Sequence, residues 1–241
     1  MPSSTAVLKR MDQRVGKLTD RFDEYVRVFG TSERFTGPSG YFHRKALALR
    51  AQHQDIASLL KDDAFFDAVY STLTAWGMHR MGPGNTRLRD LAEIRDSIRA
   101  QAEPLQALAS LDITTVSAAS RPSVVEQTWS VLTALRVSVA DAQIVANSKA
   151  LHHLLPALVP PMDRNYTYRF FYGRKMLSIE EREAFGEIFA RLLKVATSHG
   201  DGIRGLLDNA WNSSTAKVVD NAVVGYLIAE EGVPPPAESP S

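Results

Sequence analysis

The sequence predicts an all-α protein: a single orthogonal multi-helix domain of about nine or ten helices over residues 1–232, with a disordered Pro-rich tail over 233–241. Three observations predict it. Apolar residues recur at steps of three and four from Ala6 to Glu230, the spacing that puts a stripe on one helix face. No run alternates apolar and polar residues for long enough to build a sheet. The periodic segments are punctuated by residues that start or stop helices, among them Gly30, Pro122, Asp163 and Ser214.

The first helix spans Ala6 to Phe29, with Val7, Leu8, Met11, Val15, Leu18, Phe22 and Val26 on its stripe and Gly30 closing it. Gly37, Pro38 and Gly40 make a loop, and a second helix spans about His43 to Lys61. A third starts at Asp62 or Asp63, carries Phe65, Phe66, Val69, Tyr70, Leu73 and Trp76, and stops near Gly77. Met-Gly-Pro-Gly-Asn at 81–85 is a breaker. Leu88 to Leu111 is helical again, kinked or split by Pro104. Ile113 to Val116 is β-branched, a short strand or an extended connection. Pro122 fits the first turn of a helix to about Val137. Val145 to Leu155 is helical, Pro160 and Pro161 force an extended segment, and Asp163 caps a short helix through Phe171. Ser178 and Glu181 form a capping box for a helix to about Ser198, and a last helix spans Ser214 to Glu230.

Composition narrows the chemistry. The 241 residues contain no cysteine, which excludes disulfides, thiolate metal sites and a cysteine nucleophile. Lys plus Arg is 28 and Asp plus Glu is 27, so net charge lends no support to nucleic-acid binding, though a local basic patch could still provide it. The first residues have no apolar core of signal-peptide type, and no apolar run approaches the roughly 20 residues needed to span a bilayer. The expected setting is cytoplasmic, with no membrane partner.

Three segments concentrate polar groups. In Leu73–Arg80, His79 and Arg80 can simply answer the dipole of a helix C-terminus; alternatively Trp76 stacks on a planar ligand and Arg80 binds an anion at a pocket rim. Gly82 and Gly84 lack the Gly-Lys-Ser/Thr of a nucleotide-binding loop. In Trp211–Tyr226, Lys217 and Asp220 are an i,i+3 surface pair or, with Asn221, a buried polar cluster facing a pocket. The richest segment is Val145–Phe171, with Asn147, Lys149, His152, His153, Asp163, Arg164, Asn165 and Arg169. The adjacent histidines point about 100° apart on a helix; one is expected to be buried and hydrogen-bonded, the other exposed, and no metal site or cofactor is expected. Lys149 is a surface lysine or an amine nucleophile. Asp163 is a helix cap, an ion-pair partner of Arg164 or Arg169, or a catalytic carboxylate.

A helix, a Pro/Val-rich extended stretch and an aspartate opening the next helix (ValProProMetAsp at 159–163) resemble the helix-hairpin-helix DNA glycosylase superfamily. The resemblance implies that Asp163 is the catalytic aspartate, Arg169 the arginine that follows it, and Lys149 the lysine of bifunctional members. Lys149 stands 14 positions before Asp163 (163 − 149), a shorter spacing than the family's, and Ala142–Ser148 lacks the hairpin glycines that grip a DNA phosphate. The implied function is nucleic-acid binding with cleavage of an N-glycosidic bond. Asp163 and Lys149 would be catalytic, and Trp76, Arg80, Tyr166 and Arg169 would bind substrate. Tyr168 and Phe171 are further candidates for pocket walls. The segments Trp-Gly-Met-x-Arg, Pro-Pro-x-Asp-Arg and Lys-Val-x-Asp-Asn-Ala also resemble a bacterial and archaeal protein family, a resemblance that implies no activity. The alternatives are a helical protein that binds or modifies a small molecule without DNA activity, favoured by the glycine-free hairpin, and a protein-interaction module.

Overall fold

Helix-forming periodicity and local caps set the architecture of the computed structural model, which describes residues 5–32, 37–80, 88–208 and 210–233. The sequence predicts one helix from Ala6 to Phe29. The structure has two, α1 (Thr5–Asp20) and α2 (Phe22–Gly30), because Arg21 leaves the helical region (φ −125°, ψ 31°) and spends its guanidinium on Glu24 and Glu230. α3 (Pro38–Ala51) starts earlier than the apolar pattern suggests. Gly37 takes φ 70° and Pro38 follows in the first turn, where its missing N–H does no harm. The expected second helix ends at Ala51, and α4 (Ile56–Leu59) restarts after Asp55, whose carboxylate accepts the Ser58 amide at 2.7 Å. Of the two aspartates offered for α5 (Asp63–Ala75), Asp62 is the cap, accepting from Ala64 and Phe65. A 3-10 turn, Met78–Arg80, follows. The expected breaker at 81–85 lies outside the described residues.

The 88–111 segment splits into α6 (Leu91–Arg99) and α7 (Ala102–Ala109), with Pro104 inside the first turn of α7 rather than at a kink. Ile113–Val116 is no strand: the Asp112 side chain accepts from the Thr114 amide and the segment turns. α8 (Arg121–Ala134), α9 (Ile144–Leu154), a turn closed by the Leu158 and Val159 amides on the Leu155 carbonyl, and the extended Val159–Asp163 stretch follow. A π-helical turn, Arg164–Tyr168, then leads into α10 (Arg169–Tyr172), which Gly173 ends at φ 71°. The capping box does not form before α11 (Glu181–Ser198). Ser178 is taken by Arg174, and Glu181 instead accepts the Gln143 amide at 2.7 Å. α12 (Gly200–Gly205) and α13 (Thr215–Glu231), capped by Ser214, complete the order. Thirteen α-helices stand among the described residues, more than the nine or ten expected, and no strand beyond one isolated bridge, Leu88 to Ser138.

The buried apolar residues form one cluster, and two helices run through it with almost no exposed face. In α9 every residue except Lys149 is buried, and in α13 every residue from Thr215 to Leu227 is. α2 lies along α13 at a distance only glycine permits. A Cβ on Gly225 would sit 1.9 Å from the Tyr25 carbonyl oxygen. Val233, at the start of the expected tail, is also in the core; residues 234–241 lie outside the described residues. No helix among the described residues is long and apolar enough to cross a membrane.

Candidate functional site

A helix buried on all sides is normally apolar all round, yet α9 carries Asn147, Ser148, Lys149, His152 and His153, and α13 carries Lys217, Asp220 and Asn221. Two of these residues are structural ties. Asn147 donates to the Leu132 and Leu135 carbonyls, and Ser148 accepts the Met162 amide. The others converge on one region with His43 from α3, Trp76 and Met78 from the end of α5, and Trp211 and Ser213 from the loop before α13.

Three histidines form its floor, each with no exposed surface. His153 Nδ1 lies 2.8 Å from the Lys149 carbonyl, His153 Nε2 lies 3.1 Å from His43 Nδ1, and His43 Nε2 lies 3.0 Å from Ser213 Oγ. The Trp211 and His152 rings lie nearly parallel to His43, at 9° and 15°, and Trp76 is 5.4 Å from both His43 and His153. Desolvation, then the mutual repulsion of the rings, holds His43 and His152 well below the ordinary 6.5; desolvation brings His153 down to about 4. All three are neutral at pH 7. The expectation that one of His152 and His153 is exposed fails, because α9 has no exposed face there.

Above this floor stand two lysines and two aspartates. Lys217 and Asp220 form an ion pair within α13, 4% and 9% exposed, so the buried cluster replaces the surface pair. Desolvation raises Asp220 above the usual carboxylate range against the pull of Lys217. Lys149 is the anomaly. Its Nζ is 3.7 Å from the Met78 thioether, a weak acceptor, and 5.6 Å from the Trp76 ring, and it has no oxygen partner among the described residues. Desolvation pulls its pKa down, and the charges of Asp163 and Asp220 oppose that only in part.

Asp163 is a cap: its Oδ1 accepts the Tyr166 amide at 2.6 Å, and its own amide donates to Thr167. It is also close enough to act electrostatically on both Lys149 and Asp220. The structure therefore brings Asp163, Lys149 and Trp76 into one region. Tyr166 is buried in the turn behind Asp163. Arg169 is elsewhere. It pairs with Glu231, and Arg14 donates to its carbonyl. Glu231 lies eleven residues beyond Asp220, roughly 16 Å along α13. The side chain of Arg80 lies outside the described residues.

The sequence offers no local signal for His43, Trp211 or Ser213. It does offer one for Lys217 and Asp220, since Val224, Leu227 and Ile228, seven positions after Lys217, Asp220 and Asn221, put apolar residues on the same helix face. Among the described residues no group of three or more His, Asp or Glu has metal-binding geometry. Three buried polar atoms in the region have no partner among the described residues: Trp76 Nε1, His152 Nε2 and Asn221 Oδ1. Comparison of the chain with protein-family models, with curated proteins and with solved structures finds no match.

Proposed function

We propose that the chain is a glycosylase-like enzyme that uses Lys149 as an amine nucleophile and Asp163 as the carboxylate that stabilises a sugar cation. The observation that carries this reading is the solvation of Lys149: a desolvated ammonium, weakly accepted by a thioether, beside an indole face and within reach of a carboxylate's charge. Desolvation favours the neutral amine, and the neutral amine is the nucleophile. Attack on the anomeric carbon forms the C–N bond to Lys149 as the glycosidic bond to the base breaks. The base leaves with the bonding pair and takes the proton that the new ammonium sheds, while Asp163 balances the positive charge on the sugar; opening of the sugar ring then leaves an imine on Lys149, which borohydride reduces and water hydrolyses to free the amine. Trp76 supplies a flat wall for a base removed from its stack.

A specific observation favours a nucleoside-sized substrate over DNA. The loop before α9, where a hairpin would offer amides to phosphate, already donates its Gln143 amide to the Glu181 carboxylate. It also has no glycine over 142–148 to let a backbone approach closely.

The test is borohydride trapping with a panel of free nucleosides, single-stranded and duplex DNA containing damaged bases. Base release with a reduced adduct on Lys149, both absent in Lys149→Met, supports the reading. Base release by Lys149→Met at the wild-type rate, or no release from any substrate, contradicts it. Binding to duplex DNA that weakens steeply with salt would assign the substrate to nucleic acid.

A further inference from the structure

The histidines in the floor of the site have a fixed proton order. The Lys149 carbonyl can only accept, so His153 Nδ1 carries the proton. His153 Nε2 is then an acceptor, which makes His43 Nδ1 the donor to it. His43 Nε2 is left as a base, and the Ser213 hydroxyl must donate to it at 3.0 Å. A serine, a histidine base and a third group that fixes the base's tautomer share the connectivity of an activated serine nucleophile, with a neutral imidazole in the place a carboxylate commonly takes.

Ser213 also borders a cleft. Ser213 is only partly buried and forms part of the wall of a cleft of about 270 Å³ with Leu47, Leu108, Leu111, Leu155 and Ala157, distinct in its lining from the Lys149 surroundings. It immediately precedes Ser214, the N-cap of the 17-residue α13. An alkoxide forming there sits at the positive end of a long helix.

We infer that Ser213 is the nucleophile of a second activity, the hydrolysis of esters with a short apolar acyl group, with His43 as its base and His153 as the residue that positions His43. Ser213 Oγ bonds to the acyl carbon as its proton passes to His43 Nε2. The bond to the leaving alcohol breaks, and the alcohol takes that proton from His43. Water repeats the sequence on the acyl-serine, releasing the carboxylic acid and restoring the hydroxyl. His43 donates to His153 throughout, so the imidazolium stays hydrogen-bonded. The inference is independent of the Lys149 chemistry.

The experiment uses the full chain with a fluorophosphonate probe and p-nitrophenyl butyrate. The expected result is one adduct, located on Ser213 by peptide mass, forming at least a hundredfold faster in native than in urea-unfolded protein. It should be absent in Ser213→Ala and slowed at least tenfold in His153→Gln, with butyrate ester hydrolysis lost in parallel. Because His153→Gln can fail to fold, the native-to-unfolded ratio decides by itself. No adduct on Ser213, or equal rates in native and unfolded protein, overturns the inference.

Discussion

Two successive stretches of α13 are both buried and do opposite things. From Ala222 to Leu227 the helix presents Val223, Val224, Gly225 and Tyr226, and Gly225 lets α2 approach to backbone contact. From Lys217 to Asn221 it places an ion pair and an amide in the same interior. Close apolar packing stabilises a fold, whereas a buried ion pair seldom improves on apolar side chains of similar volume. The polar stretch is therefore not what the core needs for stability, and it is the one that faces Lys149, Asp163 and Trp211.

The comparison breaks first at Gly225. Gly225→Ala puts a methyl group into the Tyr25 backbone, so it should destabilise by at least about 4 kcal/mol or prevent folding, read by urea unfolding. A loss under about 1 kcal/mol would mean that the helices separate without penalty and that the packing stretch is not tight.

In the polar stretch, Lys217→Ala leaves the Asp220 carboxylate buried beside nothing of opposite sign on its own helix and should lose about 3 kcal/mol or more. The double change Lys217→Met, Asp220→Leu should regain most of that. If the double variant is as unstable as the single one, the ion pair is structural after all.

Acid sharpens the difference through the histidines. His43, His152 and His153 bind a proton near pH 6.5 when unfolded but only far lower when folded, His153 at about 4. The unfolded state therefore holds more protons between those values, and stability falls as pH drops from 6.5 toward 4, by roughly 1.4 kcal/mol per pH unit for each histidine. Asp220, raised in the fold, acts in the opposite sense, one group against three. His153→Phe should flatten part of that slope; a slope unchanged by the variant would show that His153 titrates normally.

The smallest effect is expected at Asp163. Asn caps a helix about as well as Asp, so Asp163→Asn should keep stability within about 0.5 kcal/mol while base release disappears. Full turnover in this variant would reduce Asp163 to its bond with the Tyr166 amide and remove the glycosylase-like reading.

These contrasts explain what the sequence could and could not reveal. Helix existence was legible from three-and-four spacing, and caps such as Asp62, Asp163 and Ser214 were legible because capping is local. Breaks were not: nothing around Arg21 or Gln52 carries a strong terminator, and at Arg21 the split goes with a tertiary tie, its ion pair with Glu230. Trp76 and Asp163 could be suspected because each sits at a helix end, and Lys149 because it stands on a short helix ahead of a Pro-rich turn and an aspartate. His152 and His153 misled because adjacency implies two faces, and only the packing reveals that α9 buries both. The Ser213–His43–His153 chain joins residues 110 and 170 positions apart, beyond any local pattern. Arg169 matched a motif position but is held by Glu231, a partner no spacing rule supplies.

The central claim is that the fold holds Lys149 as a poorly solvated amine. A ¹³C-methylation NMR titration of the lysines, with the Lys149 resonance assigned through Lys149→Met, tests it most directly. The account predicts a Lys149 midpoint below the ordinary 10.5 that moves lower still in Asp163→Asn, since the Asp163 charge is what opposes the shift. A midpoint at or above 10.5 would contradict it, because the ammonium would then be as well solvated or paired as any on the surface.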